Sequence, residues 1–282
     1  MTPVIDAHHH LWDPARAEYP WMTDDLEAIR RRFGIEDLVP LLDAAGIDAT
    51  VVVQTRSSTD ESRELLATAG SSSRIAGVVA WVDLTSPAVA DEIAALRAGP
   101  GGATLVGIRH QVHDEDDPAW LLRADVRRGL EAVEDAGLAY DLLVRSRELP
   151  VALETARAMP GLRFVVDHLA KPPIRDRAMS PWAERLAPFG ELPNAWCKLS
   201  GLVAEADWAT WTVDDLRPYV EHALATFGPR RLLFGSDWPV SLVAAPYAAV
   251  VDAARMLLTD LTDDDQAAVM GTTAVEVYGL RR

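Results

Sequence analysis

Eight short runs of mostly apolar residues punctuate the chain: TPVIDAHHH, DATVVVQT, IAGVVAWVD, TLVGIRHQ, LAYDLLV, LRFVVDH, NAWCKLSG and RRLLFGSD. Their apolar character is nearly continuous instead of alternating, which is the pattern of strands covered on both faces. They begin at residues 2, 48, 75, 104, 138, 162, 194 and 230, so successive starts lie 24 to 46 residues apart. That spacing holds one strand, one helix and two loops, and the stretches between the runs are rich in Ala, Leu, Arg and Glu with helical periodicity. Helix punctuation agrees. Ser180 ahead of Pro181 is expected to cap a helix start, Thr262 with Asp265 three residues on makes a capping-box pattern, and Gly99 to Gly102 and Gly137 are expected to stop helices. Eight such units predict an α/β fold, a (β/α)8 TIM barrel forming one domain over residues 1–282, with a doubly wound open sheet as the rival.

Polar residues weigh between the two. They gather at the carboxyl ends of the runs: His8, His10, Gln54, Asp83, Arg109, His110, Asp141, His168, Lys198, Ser200 and Asp237. A barrel brings those ends together on one face, where active sites are built, whereas an open sheet strings them along a line. No glycine-rich loop follows the first run, and GPGG at 99–102 precedes a strand, so a dinucleotide fold is disfavoured.

Composition narrows the partners. The 282 residues are 49% hydrophobic, enough for a large core, and carry 43 acids against 27 bases. A net charge of −16 argues against nucleic acid or an anionic membrane surface as partner. The one cysteine, Cys197, excludes an intrachain disulfide and a cysteine-based zinc cluster. With no signal-like start and no apolar run of about 18 residues, the expectation is a soluble, cytoplasmic protein. Oligomeric state is not legible.

Candidate chemistry starts in VIDAHHHLW. Three histidines flanked by Asp6, Leu11 and Trp12 do not make a purification tag. On a strand, residues two apart face the same way, so His8 and His10 project together and His9 turns toward the surrounding helices. Two imidazoles at a strand end, joined by His168 and Asp237 at the ends of the sixth and eighth runs, supply the ligand types that zinc or another divalent ion takes. His113 and His222 are expected to have no chemical role. Asp6 is expected to hold the first strand through loop hydrogen bonds, and Lys198 and Ser200 to be either pocket wall or structural partners.

The segments DAHHHLWDP…YPWM, GIRHQ, DHLAKPP, KLSGL and LLFGSDWPV resemble the amidohydrolase superfamily, and within it the amidohydrolase-related sugar-lactone hydrolases, fuconolactonases and rhamnonolactonases among them. The motifs span residues 5 to 239, and the closing GTTAVEVYGL resembles that group's last helix. The resemblance implies a distorted barrel with the strand-one histidines, His168 and Asp237 around the reaction centre. The fourth run lacks a bridging lysine or glutamate and the fifth has Asp141 where the superfamily's two-metal pattern has histidine, so one divalent ion, zinc by preference, is expected on His8, His10, His168 and Asp237. The implied activity is hydrolysis of a small-molecule sugar lactone, within carbohydrate catabolism. Asp237 would be the general base, and Arg109 and His110 would serve a developing oxyanion. Gln54, Lys171, Trp12, Trp21 and Trp238 join Arg109 and His110 as expected substrate contacts, the indoles because flat rings with one N–H suit a sugar face. The alternatives are a metal-dependent decarboxylase or hydrolase of an aromatic or unsaturated acid, and a barrel that binds without turnover.

Overall fold

The computed structural model describes residues 2–280. Eight parallel strands form one sheet in chain order: β1 (Ile5–His9), β2 (Ala49–Val53), β3 (Ile75–Ala80), β4 (Leu105–His110), β5 (Ala139–Leu142), β6 (Arg163–Val166), β7 (Ala195–Leu199) and β8 (Leu232–Phe234). Around them lie α1 (Ile35–Ala45), α2 (Thr59–Gly70), α3 (Val89–Ala98), α4 (Ala124–Asp135), α5 (Leu149–Ala158), α6 (Trp182–Leu186), α7 (Leu202–Glu205), α8 (Val213–Phe227), α9 (Tyr247–Leu257), α10 (Asp263–Ala267) and α11 (Thr273–Tyr278). This is the (β/α)8 barrel, and the open-sheet rival falls because the sheet closes on itself. The short β8 continues into the seam: the Asp237 amide donates to the His8 carbonyl (2.8 Å) and the His10 amide to the Trp238 carbonyl (2.7 Å). Asp237 therefore arrives beside both histidines as a direct result of closure.

Two apolar clusters follow from strands buried on both faces. The larger lies between strands and helices; the smaller fills the barrel interior with Val51, Val53, Val79, Val165 and Leu233, plugged by Ala274, Val277 and Tyr278 of α11. Ile5 and Ala7 belong to this interior cluster. Strict alternation would then turn His8 outward. It does not, because Asp6 pairs with Thr50 but His9 with Val52, three steps on β1 against two on β2. The extra residue is a β-bulge, which shifts the parity and brings His8 and His10 inside.

Helix ends depart from expectation once. Thr262 caps α10, accepting from the Asp265 amide (3.3 Å), and α3 ends against Gly99. Ser180, however, is not a cap: α6 begins at Trp182 with Pro181 in the cap position, and Ser180 lies one residue further out.

Candidate active site

At the carboxyl end of the strands a cleft of about 150 Å³ is lined by His10, Trp21, Thr55, Arg109, Gln111, His113, Asp114, Leu143, His168, Lys171, Asp237 and Val240. His8 lies fully buried beside it. Its Nε2 is 3.2 Å from His10 Nε2 and 3.8 Å from Asp237 Oδ1, which is itself 3.4 Å from His10 Nε2 and 4.0 Å from His168 Nε2. Two glycines permit this crowding. A Cβ on Gly235 would stand 2.6 Å from His8 Cβ, and one on Gly201, whose φ is +67°, 2.6 Å from His168 Nδ1.

His168 enters the site on an unusual backbone. His168, Leu169, Ala170 and Lys171 all have φ between 51° and 58°, one left-handed turn closed by the Lys171 amide on the His168 carbonyl (2.8 Å). Side chains three apart in such a turn point alike, so His168 and Lys171 both reach the cleft. Neighbours clamp the turn: Trp182 Nε1 donates to the Leu169 carbonyl (2.6 Å), Lys171 Nζ pairs with Glu205 (2.9 Å), and His168 Nδ1 lies 2.8 Å from Ser200 Oγ. Asp237 is also left-handed, with φ 55°.

Electrostatics favour neutral rings around an ionised carboxylate. Burial pushes His168 down to about 4 against the pull of Asp237 and Asp167, and burial together with Lys198 holds His8 well below the usual histidine range. Burial opposes ionisation of Asp237, but His168, the hydrogen bond and charge of His10, and Lys171 outweigh it and bring its carboxyl below the usual value. His10 donates from Nδ1 to the Val53 carbonyl (2.7 Å), and its Nε2 lies 3.4 Å from Asp237 Oδ1.

The donor set fits a metal ion. Ligand atoms of His8, His168 and Asp237 lie within 4.8 Å of one another. Tetrahedral ligands about 2.1 Å from zinc stand about 3.4 Å apart, close to the 3.2 to 4.0 Å separations here. Asp167 Oδ1 lies 3.0 Å from Lys198 Nζ and 3.5 Å from His8 Nδ1. A proton on that nitrogen would face the oxygen and free the Nε2 lone pair, the arrangement of a carboxylate backing a histidine ligand.

A profile of the amidohydrolase family matches residues 5–280. The chain belongs to the amidohydrolase family. Among curated relatives of this amidohydrolase, the L-fucono-1,5-lactonase of Burkholderia multivorans is 38% identical over 287 residues, spanning 98% of this chain and 96% of that one. The L-fucono-1,5-lactonase of Burkholderia ambifaria is 38% identical over 288 residues, with 100% and 97% covered. The crystal structure of an amidohydrolase from Burkholderia multivorans with bound zinc superposes with a TM-score of 0.94 at 36% identity, covering 99% of this chain and all of that one.

In the amidohydrolase, His8, His10, Arg109, His168, Lys171 and Asp237 come together, and Trp21 lines the cleft with its indole N–H buried and without a partner among the described residues. Four expected substrate contacts stand elsewhere. Gln54 turns its amide to the Arg109 carbonyl (3.1 Å) and Gln111 (3.2 Å). Trp12 faces a separate cleft behind the 11–34 loop and donates to the Ile29 and Arg31 carbonyls. Trp238 is buried edge-on to Phe33. His110 does not line the cleft: it stacks on Trp120 at 4.2 Å, receives Trp81 Nε1 (3.0 Å) and meets Glu115 (2.7 Å). His9 turns away from the cleft to Thr50 Oγ1 (2.9 Å). Asp6 has the structural role expected, accepting from the Ser236 amide (2.8 Å) and from Tyr247 of α9 (3.0 Å). Sequence reasoning missed His113, which lines the cleft, and Asp167 and Tyr278, which lie under it. The Asp-His pair in DHLAKPP was the available signal for Asp167.

Proposed function

We propose that the chain hydrolyses a neutral sugar-derived lactone, of the L-fucono- or L-rhamnono-lactone kind, in the breakdown of sugar acids. One observation carries the choice over an anionic substrate. Both lysine or arginine side chains that line the cleft already hold a carboxylate of their own, Arg109 with Asp167 at 2.9 Å and Lys171 with Glu205 at 2.9 Å. A decarboxylase or a hydrolase of an aromatic acid needs an uncommitted cation to clamp the substrate carboxylate. Identity to the two fuconolactonases over nearly the whole chain supports the same reading.

Asp237 is the general base. Its carboxylate takes a proton from water as the water oxygen bonds to the lactone carbonyl carbon. When the ring C–O bond breaks, the same proton passes to the departing ring oxygen, giving the open hydroxy acid. Arg109, its Nη1 already held by Asp167 and His8, lends its positive charge to the side of the cleft where the carbonyl oxygen gains charge, and Trp21 offers its buried N–H to a ring hydroxyl. A single divalent ion, zinc by preference, would be held by His8, His10, His168 and Asp237 and would polarise the carbonyl when bound.

The test is acid release from a panel of five- and six-carbon aldonolactones, with added zinc or manganese and with a chelator. Rapid hydrolysis of a few stereoisomers is expected, and Asp237→Asn is expected to lose about a hundredfold or more of kcat with an unchanged circular dichroism spectrum. No hydrolysis under either condition would move the assignment to the decarboxylase class, and near-normal turnover by the variant would remove the base.

A further inference from the structure

Across the barrel from the candidate active site, a second cleft of about 550 Å³ opens at the amino ends of β3 to β6. Ala76, Leu105, Val106 and Leu138 supply its apolar lining, and Arg97 of α3 and Arg163 of β6 its charge. Arg97 Nη2 donates to the Ala136 carbonyl and Arg163 Nη2 to the Gly137 carbonyl (2.7 Å). Both guanidiniums are therefore drawn to successive residues of the turn between α4 and β5.

Charge balance sets this cleft apart. In the candidate active site Arg109 and Lys171 each hold a carboxylate, and in the cleft behind the 11–34 loop Arg16 and Arg32 pair with Glu64 and Glu36. Among the described residues no Asp or Glu lines the barrel-foot cleft, and neither Arg97 nor Arg163 has an ion pair. Glu131 and Asp135 share a separate groove with Arg97, between α3 and α4, beyond ion-pair distance. In a chain with 43 acids against 27 bases, two uncompensated guanidiniums side by side run against the composition.

Capping the carbonyls that follow α4 accounts for one N–H group of each arginine. A guanidinium has five, in a planar fork that matches the oxygens of a phosphate or a carboxylate. The remaining N–H groups of exposed Arg97 and half-buried Arg163 make no hydrogen bond among the described residues, and Arg163 Nε is buried without a partner there.

We propose that this cleft binds a small oxyanion, the phosphate or carboxylate group of a small molecule, between Arg97 and Arg163. Each guanidinium is anchored by a single N–H and has no acid partner to give up before the ligand is bound. The site is separate from the chemistry at the other end of the barrel, and its occupancy does not depend on whether the chain opens a lactone.

The test is isothermal titration calorimetry on the full-length chain at fixed ionic strength, with inorganic phosphate in one arm and gluconate in the other. Binding of at least one probe with a Kd of about 1 mM or tighter is expected, and the arm that binds names the source of the oxyanion. Arg97→Gln and Arg163→Gln are each expected to weaken that binding about tenfold. Because both variants also release a carbonyl after α4, Ala103→Glu is made in parallel. Ala103 is exposed and lines the cleft, so a carboxylate there is expected to engage the guanidiniums and abolish binding without disturbing the core. No binding of either probe at about ten times that concentration overturns the proposal. So does binding that persists unchanged in Ala103→Glu or in both folded glutamine variants, since the anion would then sit elsewhere.

Discussion

Replacing Tyr247 by phenylalanine tests how the barrel seam holds His8. The phenol of α9 donates to Asp6 Oδ2 (3.0 Å), while Asp6 Oδ1 takes the Ser236 amide (2.8 Å) and the His8 amide (3.2 Å), so one buried carboxylate ties β1, the segment after β8 and a helix together. Phenylalanine fits the same space and removes only the donor. A hydrogen bond to a charged group is worth about 1.5 to 3 kcal/mol, and the oxygen left behind is buried, so a loss of about 2 kcal/mol is expected. For a chain of this size that lowers Tm by about 3 to 4 °C. The pH dependence has a definite sign. Burial raises the Asp6 carboxyl against the hydrogen bonds that lower it, and removing Tyr247 takes away one of the latter. A carboxyl whose folded value is raised binds its proton more readily in the folded state, so this group favours folding more as pH falls. The difference between wild type and variant is therefore largest where Asp6 is ionised in both and narrows as pH drops. Urea denaturation at two or three pH values measures it. A loss below about 0.5 kcal/mol at neutral pH, or a difference that widens toward acid, would refute the seam role of Asp6.

Trp21→Phe keeps the ring and removes the unpartnered N–H; KM for a hydrolysed lactone is expected to rise about three- to tenfold with kcat little changed, and an unchanged KM would mean the indole does not bond substrate. His110→Phe should leave kcat/KM within about threefold while lowering stability by about 1 to 3 kcal/mol, since Trp81 and Glu115 lose their partner; a large kcat loss in a folded variant would return His110 to the chemistry. Burial of half-buried Glu205 raises its carboxyl, but Lys171 and Arg145 outweigh it and bring it below the usual 4.5. Its contribution is present above that value and lost as pH falls through the lowered one, so the Tm gap between wild type and Glu205→Gln should close in acid, and a constant gap would contradict the pairing.

The barrel was legible because strands covered on both faces write long apolar runs, and each of the eight runs contains one strand. His8, His10, His168 and Asp237 were legible because strand ends converge whatever the loops do. Closeness along the chain misled where the chain leaves the strand. Trp12 follows His10 at the right parity, but the backbone has turned by then to bridge Phe33, and the ring goes with it. His110 sits next to Arg109 on β4, so alternation sends it outward as surely as it sends Arg109 inward. His113 follows β4 in a 3-10 turn, Val112–Asp114, whose direction no periodicity encodes. The contact between Tyr278 and Asp141 joins residues 137 apart in sequence, beyond any local pattern.

The left-handed turn under His168 has a bearing on how this enzyme can be made hardier. Four successive non-glycine residues in that conformation carry about 1 to 2 kcal/mol each, a sum comparable with the whole margin by which a typical domain stays folded. Glycine at Ala170, where only a methyl group is lost, is therefore among the first changes that selection for heat tolerance would find. It would also loosen the segment that fixes the His168 imidazole and a cleft lysine in the same turn. Thermal robustness and chemical precision pull against each other here over four residues, and a campaign that scores only survival after heating would drift toward folded, slow enzymes.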